Sequence, residues 1–345
     1  MIDDKYMSRC IQLAKLGVGN VAPNPMVGSV LVYENKIIGE GYHKKYGEAH
    51  AEVNCVNSVL PENKILIEKS TMYVSLEPCS HFGKTPPCSD LIIRNKIKKV
   101  VIGCKDSYEE VAGRGIQKLQ DASVDVVVGV LENECRDLNQ RFFAFHEKRC
   151  PYIILKWAQS ANGKIGAVNN KRILISNDYS NRLVHKWRSE EAGILIGTNT
   201  ALADDPYFTP RFWPGPKPVK IIIDKDLKLP STLKIFDEKT KTIIFNNAKN
   251  SDEQNLQFIK PETHDFLKGM LDCLYELNIQ SILVEGGSKT LQSFIDAGLW
   301  DEARIITNEK IVIENGIAAP EIKGFKLIQQ EQYLSDRIDY YKRSA

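Results

Sequence analysis

Apolar residues in the first half of the chain switch repeatedly between helical and strand spacing. Near the N-terminus they stand at Met7, Cys10, Ile11 and Ala14, one face of a helix. The stretch "MVGSVLVYENKIIGEGYH" predicts two strands around the polar turn "EN". Later helices are predicted at "HAEVNCVNSVL" and "CSDLIIRNKI", and later strands at "STMYVSLEP", "KKVVIGCKD" and "VDVVVGVLE". Helices placed between short strands predict a layered α/β domain.

The pattern restarts near residue 150. A polar run ends there, and Pro151 precedes a new apolar strand at 152–155. With 345 residues the chain is long for a single core, so we assign 1–148 to a first domain and 149–345 to a second. Strands of the second domain are predicted at "GILIG", "VKIIID", "KTIIFN", "SILVEGG" and "EARIIT". The second domain is therefore also α/β.

The balance of basic and acidic residues indicates which kinds of binding partner the chain does not favour. The chain has 46 basic and 44 acidic residues, a net charge of +2, and no block of like charges. Bulk electrostatics therefore do not favour nucleic acid or a membrane surface as partner. No apolar run reaches the length of a membrane span or resembles a signal peptide. We expect a cytoplasmic protein whose eight cysteines are reduced, which leaves metal binding open to them.

Four residues in two separated stretches form a candidate metal site. "GEAHAEVNC" contains His50 and Glu52, and "LEPCSHFGKTPPC" contains Cys79 and Cys88. One histidine and two thiols leave the fourth position of a tetrahedral zinc open, which is the arrangement of catalytic zinc sites. His50 and Glu52 can converge only if the histidine lies at the entry of the helix, because positions i and i+2 point apart within a regular turn.

The bound metal would lower the pKa of a water molecule towards neutrality, and Glu52 is the candidate proton shuttle. The motif H-x-E followed by P-C-x-x-C is the signature of zinc deaminases. "HAE" fits it, but here eight residues separate the two cysteines.

Two other interpretations stay open from these residues: a closed structural zinc site with His81 as fourth ligand, and a pair of thiols without metal. The remaining cysteines are interpreted as small core residues, and His43, His146, His185 and His264 as surface or hydrogen-bonded histidines.

With these motifs in order, the chain resembles the bifunctional riboflavin-biosynthesis proteins, in which a pyrimidine deaminase is fused to a reductase. The resemblance covers most of the chain. It rests on "APNPMVG", "HAEVN", "SLEPCSHFGKTPPC", "VAGRG", "LKWAQSANGKI", "GTNTALADDP" and "ILVEGG". It implies a cytidine-deaminase-like three-layer domain followed by a dihydrofolate-reductase-like domain.

The resemblance also implies the chemistry. The first domain would replace a ring amine by oxygen on a diaminopyrimidinone that carries a ribosylamino 5′-phosphate. The second domain would reduce the ribosyl group to ribityl with NADPH. By the same resemblance His50, Cys79 and Cys88 bind zinc and Glu52 is the proton shuttle. Substrate contacts in the first domain are expected at Asn24, His43, His81 and Lys84, and an ammonium such as that of Lys84 suits a phosphate.

The second domain has no G-x-G-x-x-G after a strand, which argues against a Rossmann cofactor site. Small residues instead follow strands in "IGTNTALADDP" and "VEGGSKTLQSF", where open α/β sheets bind ligands. The resemblance implies cofactor contacts at Ala158, Leu174, Thr200, Asp204, Lys225, Gly287, Ser288, Lys289, Thr290, Leu291, Gln292 and Ser293. It implies substrate contacts at Arg172, Arg188, Phe208, Arg211 and Glu285. Lys156, Asp204 and Glu285 are the candidate catalytic residues of this domain.

Two positions depart from the resemblance: Asn162 stands where an aspartate is usual, and "LIS" at 174–176 replaces the more common Trp-Ile-Thr. We expect a homo-oligomer, a dimer or a tetramer, that acts on a small molecule. Two rival functions are a nucleic-acid deaminase, which would need a basic groove with aromatic stacking, and a zinc-stabilised interaction module, which would unfold on chelation.

Overall fold

The computed structural model describes residues 3–82, 86–108, 112–168, 173–237 and 240–343. The chain divides into two compact units, Met1–Arg149 and Cys150–Ala345. Each unit has its own sheet and its own hydrophobic core. Among the residues that the structure describes, no helix is long and apolar enough to cross a membrane.

The first unit contains five strands and six helices within its described residues. The strands are β1 Gly28–Tyr33, β2 Lys36–Tyr42, β3 Thr71–Leu76, β4 Lys99–Cys104 and β5 Asp125–Val128. The helices are α1 Asp4–Ala14, α2 Ala51–Asn57, α3 Cys88–Arg94, α4 Arg114–Asp121, α5 Glu132–Leu138 and α6 Gln140–Lys148.

The sheet of the first unit has the order β2-β1-β3-β4-β5. The β1–β2 and β1–β3 pairs are antiparallel, and β3–β4 and β4–β5 are parallel. Alternate residues of one strand enter different cores: Val30 and Val32 pack with α1, α5 and α6, whereas Leu31 packs with α2, α3 and α4. Helices therefore cover both faces of the sheet, and the unit has three layers, as the resemblance implied.

The second unit is larger. Its strands are β6 Tyr152–Ser160, β7 Lys164–Ala167, β8 Gly193–Gly197, β9 Val219–Ile223, β10 Thr242–Phe245, β11 Ser251–Glu253, β12 Leu256–Ile259, β13 Ser281–Val284, β14 Glu302–Asn308, β15 Gly316–Ala318, β16 Phe325–Tyr333 and β17 Asp336–Arg343. Its helices are α7 Asp178–Glu190, α8 Thr198–Asp204, α9 Phe266–Glu276 and α10 Ser288–Asp296.

The main sheet of the second unit has the order β11-β12-β10-β9-β8-β13-β6-β14-β17-β16. The strands from β12 to β14 are parallel, and the two edges close with antiparallel pairs. Parallel strands bring their carboxyl ends to one edge of the sheet, which is where ligands bind in such folds. A separate two-stranded sheet joins β7 and β15.

The sequence pattern located the central strands and the first helix correctly. Glu34 and Asn35, the predicted turn, both have positive φ, as a tight hairpin requires. Four of the six cysteines interpreted as core residues are buried, but Cys150 and Cys273 are only half-buried. The β16–β17 hairpin was not predicted, because most residues of β16 are exposed and give little periodic signal.

Candidate active sites

The three predicted zinc ligands lie together in the first unit. The Nδ1 atom of His50 is 3.6 Å from Cys79 Sγ and 3.4 Å from Cys88 Sγ. All three ligand atoms lie within 4.8 Å of one another. A tetrahedral zinc holds nitrogen and sulfur ligands about 3.5 Å apart. The donor set and its spacing therefore fit a zinc ion with three protein ligands.

Two helix starts place these ligands. His50 is the N-cap of α2 and has extended backbone (φ −72°, ψ 169°), so it stands outside the regular turns, as predicted. Cys88 is the first residue of α3, and its backbone N–H donates to Cys79 Sγ over 3.3 Å. A helix N-terminus stabilises a thiolate in this way.

Glu52 lies in the first turn of α2 and is 3% exposed. Burial raises the pKa of its carboxyl, and the nearby Cys79 raises it further. A carboxyl group beside the candidate metal site whose pKa is raised is suited to taking up and releasing a proton.

The pKa of the Cys79 thiol is lowered to about 4, first by a hydrogen bond with Cys88 and then by His50, although burial opposes the shift. Within the described residues no fourth histidine, cysteine or carboxylate joins the cluster. His81, the fourth ligand of the structural alternative, is not part of it. The arrangement favours an open site over a closed one.

Asn24 and His43 lie beside the ligands and are joined to each other. The Nδ1 atom of His43 is 3.1 Å from the Ala49 carbonyl, and its Nε2 is 3.1 Å from Asn24 Nδ2. Because a carbonyl only accepts, Nδ1 carries the proton and Asn24 donates to Nε2. Burial lowers the pKa of His43, which favours the neutral ring that this hydrogen-bond pattern requires.

His81 lies on the insertion between the two cysteines. Its Nδ1 atom is buried and has no hydrogen-bond partner among the described residues. Buried polar atoms are nearly always paired, so this nitrogen is suited to a ligand. Lys84, the other predicted contact on the insertion, lies outside the described residues.

In the second unit, the two predicted cofactor loops meet at the carboxyl ends of β8 and β13. These strands are parallel neighbours. A Cβ on Gly287 would lie 2.9 Å from Thr200 Oγ1, and a Cβ on Gly197 would lie 2.5 Å from Thr290 Oγ1. Gly287 has φ +59°, a conformation that favours glycine. The two glycines thus let α8 and α10 start side by side.

Residues 287–293 divide into two groups. The first intrahelical bond of α10 runs from Leu291 N to Gly287 O, so the N–H groups of the preceding turn are free for an anion. Leu291 is buried in the core at 1% exposure, and the Gln292 side chain bonds Asp296 and Glu321. The side chains of Leu291 and Gln292 are therefore engaged within the protein, whereas the N–H groups at the start of α10 have no intrahelical partner.

Lys156, Arg188 and Glu285 form a buried ion cluster. The guanidinium of Arg188 binds both oxygens of Glu285, each at 2.6 Å, and Lys156 Nζ is 3.8 Å from Glu285 Oε2. Burial would raise the pKa of Glu285, but Arg188 and then Lys156 outweigh it and hold the pKa at about 2. Two of the three guanidinium nitrogens of Arg188 therefore donate to Glu285. The sequence did not predict this pairing.

His185 is a member of this region that sequence reasoning missed. It lies one helical turn before Arg188 on α7, is 2% exposed, and packs edge-on against Phe212 with ring centroids 4.8 Å apart. Burial, then Arg188 and Arg211, lower its pKa to about 4. One ring nitrogen bonds the backbone of Thr209, and Nδ1 is unpaired among the described residues. No sequence signal separated this histidine from a surface one.

The other predicted residues of the second unit take varied places. Phe208 is buried under the Arg188 guanidinium, whose carbon is 5.6 Å from the ring centroid. Arg211 is exposed on the same loop.

Lys225, one of the predicted cofactor contacts, follows β9 with its ammonium 4.5 Å from the Phe266 ring centroid. Ala158 lies on β6, Asp204 ends α8 and is exposed, Leu174 is 75% exposed, and Arg172 lies outside the described residues.

Asn162, the first departure from the resemblance, has a structural explanation. Its side chain donates to the Ile313 carbonyl over 2.9 Å and accepts from the Ile313 N–H over 3.1 Å. It also accepts from the Ser160 hydroxyl. An amide can make both bonds to one backbone unit, whereas an ionised carboxylate could only accept.

Two protein families match the two halves of the chain. Residues 1–104 match the cytidine and deoxycytidylate deaminase zinc-binding region, and residues 151–319 match the RibD C-terminal domain. The riboflavin biosynthesis protein RibD of Aquifex aeolicus is 40% identical over 358 aligned residues, 99% of each chain. That of Bacillus amyloliquefaciens is 35% identical and covers 96% of this chain and 92% of its own.

Solved structures agree over the full length. A crystal structure of a diaminohydroxyphosphoribosylaminopyrimidine deaminase/5-amino-6-(5-phosphoribosylamino)uracil reductase from Thermotoga maritima has a TM-score of 0.89 at 32% identity, covering 99% of this chain and 98% of its own. RibD from Acinetobacter baumannii also has a TM-score of 0.89, at 28% identity and 99% coverage of both chains. These matches confirm the predicted fold class of both halves.

Proposed function

This chain belongs to the RibD family of riboflavin biosynthesis proteins, bifunctional enzymes with a deaminase and a reductase domain, and on that premise we propose how its own residues divide the work. The first domain, which we place at 1–148, carries a zinc-dependent deaminase site. The second, at 149–345, carries an NADPH-dependent reductase site. The substrate is the diaminopyrimidinone ribosylamino phosphate expected from the sequence.

His50, Cys79 and Cys88 are the residues that would hold zinc, and zinc bound there supplies a water that is nucleophilic at neutral pH. Glu52 accepts a proton from the attacking water and passes it to the leaving amine, a role that its burial and raised pKa support. Asn24, oriented by His43, offers its carbonyl oxygen to the ring amine. His81 Nδ1 offers a second hydrogen bond, and Lys84 would contact the phosphate.

In the reductase domain, the cluster of Lys156, Arg188 and Glu285, together with the exposed Arg211 on the loop of Phe208, supplies three cationic groups and one carboxylate. The excess of positive charge suits the substrate phosphate. Because Glu285 occupies most of the Arg188 fork, Arg211 and Arg172 are the arginines left to bind phosphate oxygens. Glu285 and Lys156 would then orient the ribosyl group. Phe208 would pack against it.

NADPH would lie along the carboxyl ends of β8 and β13, where it supplies the hydride. The free N–H groups at the start of α10 would bind its phosphates. The residues that would contact the cofactor there are Thr200, Gly287, Ser288, Lys289 and Thr290. Lys225, whose ammonium rests on Phe266, would contact a charged part of the cofactor. Ala158, Leu174 and Asp204 remain proposed contacts, and a catalytic role for Asp204 has no support beyond the resemblance.

We further propose a homo-oligomeric, cytoplasmic enzyme without nucleic-acid or membrane partners. All eight cysteines are free thiols in the structure, which is the usual state in the cytoplasm. A nucleic-acid deaminase is not favoured, because the chain continues into a reductase. An interaction module is not favoured either, because the zinc ligands leave one coordination position open.

The observation that carries the deaminase proposal is the convergence of His50, Cys79 and Cys88 around a point next to a buried Glu52. Its test is to incubate the protein with the diaminopyrimidinone ribosylamino phosphate, with and without NADPH, and to identify products by mass. We expect exchange of an amino group for oxygen without NADPH, and the ribityl product when NADPH is present. No exchange in zinc-loaded protein would refute the proposal.

Glu52→Gln is the matched variant. It keeps the size of the side chain but cannot shuttle a proton, so deamination should fall by about 10²- to 10⁴-fold. Zinc content, measured by mass spectrometry of the metal, should stay at one ion per chain. Reduction of pre-deaminated substrate should be unchanged in the same sample. Retained deamination would remove Glu52 from the mechanism.

A further inference from the structure

Glu77 precedes the first metal cysteine by two residues and has no part in the proposed chemistry. It is 4% exposed, and its carboxylate accepts four backbone N–H groups. Oε1 accepts from Gly115 over 2.9 Å and Ile116 over 3.2 Å, and Oε2 accepts from Gly113 over 3.0 Å and Asp106 over 3.3 Å. One buried carboxylate thus fastens two backbone segments. We call this set of four bonds the Glu77 clasp.

The glycines of "AGRG" make the clasp possible. Gly113 has φ +80°, a conformation that turns the chain into α4. A Cβ on Gly115 would lie 2.0 Å from the Pro78 carbonyl oxygen, so any other residue would push α4 away from Pro78. The motif thus brings free N–H groups of the first turn of α4 onto the residues just before Cys79.

The clasp is also connected to His81, on the insertion between the two cysteines. Asp106, one of its four donors, accepts through Oδ1 from the Tyr108 N–H over 2.8 Å. The Tyr108 ring meets the His81 ring with centroids 6.3 Å apart at 65°. His81 is the proposed substrate contact on the insertion. A continuous set of contacts therefore runs from Glu77 through Asp106 and Tyr108 to His81.

We propose that Glu77 is a positioning residue of the deaminase site, which holds segments 105–108 and 112–116 against the turn that carries Cys79 and thereby sets the place of His81. This inference rests on the proposed deaminase function. It assigns a role to "VAGRG", a motif whose function the zinc chemistry leaves unexplained.

A purely structural cap of α4 would give a different outcome from a positioning residue. Loss of a cap lowers the stability of the domain, and zinc and activity would be lost together, with activity per bound zinc unchanged. Loss of a positioning residue leaves zinc bound but displaces His81, so activity per bound zinc falls. The ratio of turnover to zinc content separates the two.

The test is Glu77→Gln in the full chain. Glutamine keeps the shape but presents an NH₂ group to two backbone donors, so half of the clasp is lost. We expect one zinc per chain and a fall of deaminase kcat/KM per bound zinc of about 10- to 100-fold, with the larger part in KM. Reductase activity of the same sample should not change. Glu40→Gln, which removes a carboxylate paired with Arg9 in the same domain, is the matched control.

A second readout keeps the test decisive if Glu77→Gln accumulates poorly. Glu77→Asp keeps the charge but is one methylene too short to reach both segments, and hydrogen exchange at Gly113, Gly115 and Ile116 should accelerate at least 10-fold relative to wild type. Unchanged exchange would overturn the clasp, and full turnover per zinc in either variant would overturn the positioning role. A wild-type protein without deaminase turnover would instead count against the proposed function.

Discussion

At the scale of single residues, the charged neighbours of a buried carboxyl group decide the direction in which its pKa moves. Glu52 and Glu285 are both buried carboxyl groups, yet their pKa values move in opposite directions. Burial dominates at Glu52 and raises the pKa, whereas Arg188 and Lys156 lower the pKa of Glu285 to about 2. One residue is thereby suited to proton transfer and the other to permanent charge.

His185 gives a pH prediction at this scale. Its pKa is lowered from 6.5 to about 4 by burial and by two arginines. Between these values the unfolded chain binds a proton that the folded chain does not, so the free energy of unfolding falls as pH is lowered through this window. His185→Gln keeps a donor for Thr209 but does not titrate. Its Tm should therefore fall less than that of the wild type between pH 6.5 and 4.5.

Calorimetry across pH on the full chain measures this difference. Above pH 7.5 the two proteins should show the same pH dependence, because His185 is neutral in both states there. Parallel curves for His185→Gln and the wild type would contradict the prediction.

At the scale of elements, glycines set how closely helices approach the first sheet. A Cβ on Gly41 of β2 would lie 2.2 Å from the Cys55 nitrogen and 2.5 Å from the Ala51 carbonyl oxygen. The backbone of α2 therefore lies directly on β2. His50, the proposed zinc ligand, is the N-cap of α2. This contact therefore sets the position of His50 relative to β2.

Gly41→Ala should push α2 outwards. We expect a loss of about 1–3 kcal/mol in the free energy of unfolding of the first domain, as is usual for overpacking, together with weaker zinc binding. Urea unfolding and competition with a chelator would measure the two effects. Gly166→Ala on β7, where a new Cβ meets nothing within 4 Å, is the control for a glycine replacement. Equal zinc affinity in Gly41→Ala and wild type would show that α2 does not depend on this contact.

At the scale of the whole molecule, the two candidate sites belong to units with separate cores. The proposed zinc ligands lie in the first unit, and the Lys156, Arg188 and Glu285 cluster lies in the second.

Removal of zinc from the full chain should therefore separate the activities. Dialysis against a strong chelator should abolish deamination, while NADPH-dependent reduction of pre-deaminated substrate stays within about twofold of its starting rate, because the second unit has its own sheet and hydrophobic core. Addition of zinc should restore deamination. A parallel loss of reduction would mean that the metal supports the second unit as well. Cys79→Ser is the genetic equivalent and should behave in the same way.

Much of the fold and of the candidate metal site could be predicted from the sequence. The central strands are continuous apolar runs and were therefore predicted, and the candidate metal site was predicted because histidine and cysteine occur beside helix starts in a recognisable order. The hairpin β16–β17 and the helices α5 and α6 did not, because exposed or short elements carry weak periodicity. The occupied fork of Arg188 was also missed, since an arginine that pairs with a distant glutamate looks the same in sequence as one that is free.

The sequence by itself determined the chemistry available to this protein: one histidine, two thiols and a carboxyl group in one half, and strand-end glycines with basic residues in the other. Only the tertiary structure decided how those groups are used. It brought His50 to within 3.6 Å of Cys79 across 29 residues, buried Glu285 between Arg188 and Lys156, and folded "AGRG" onto Glu77. The reason is physical. Residue type sets what a group can donate, accept or ligate, whereas its pKa and its partners depend on desolvation and on charges that only folding brings near.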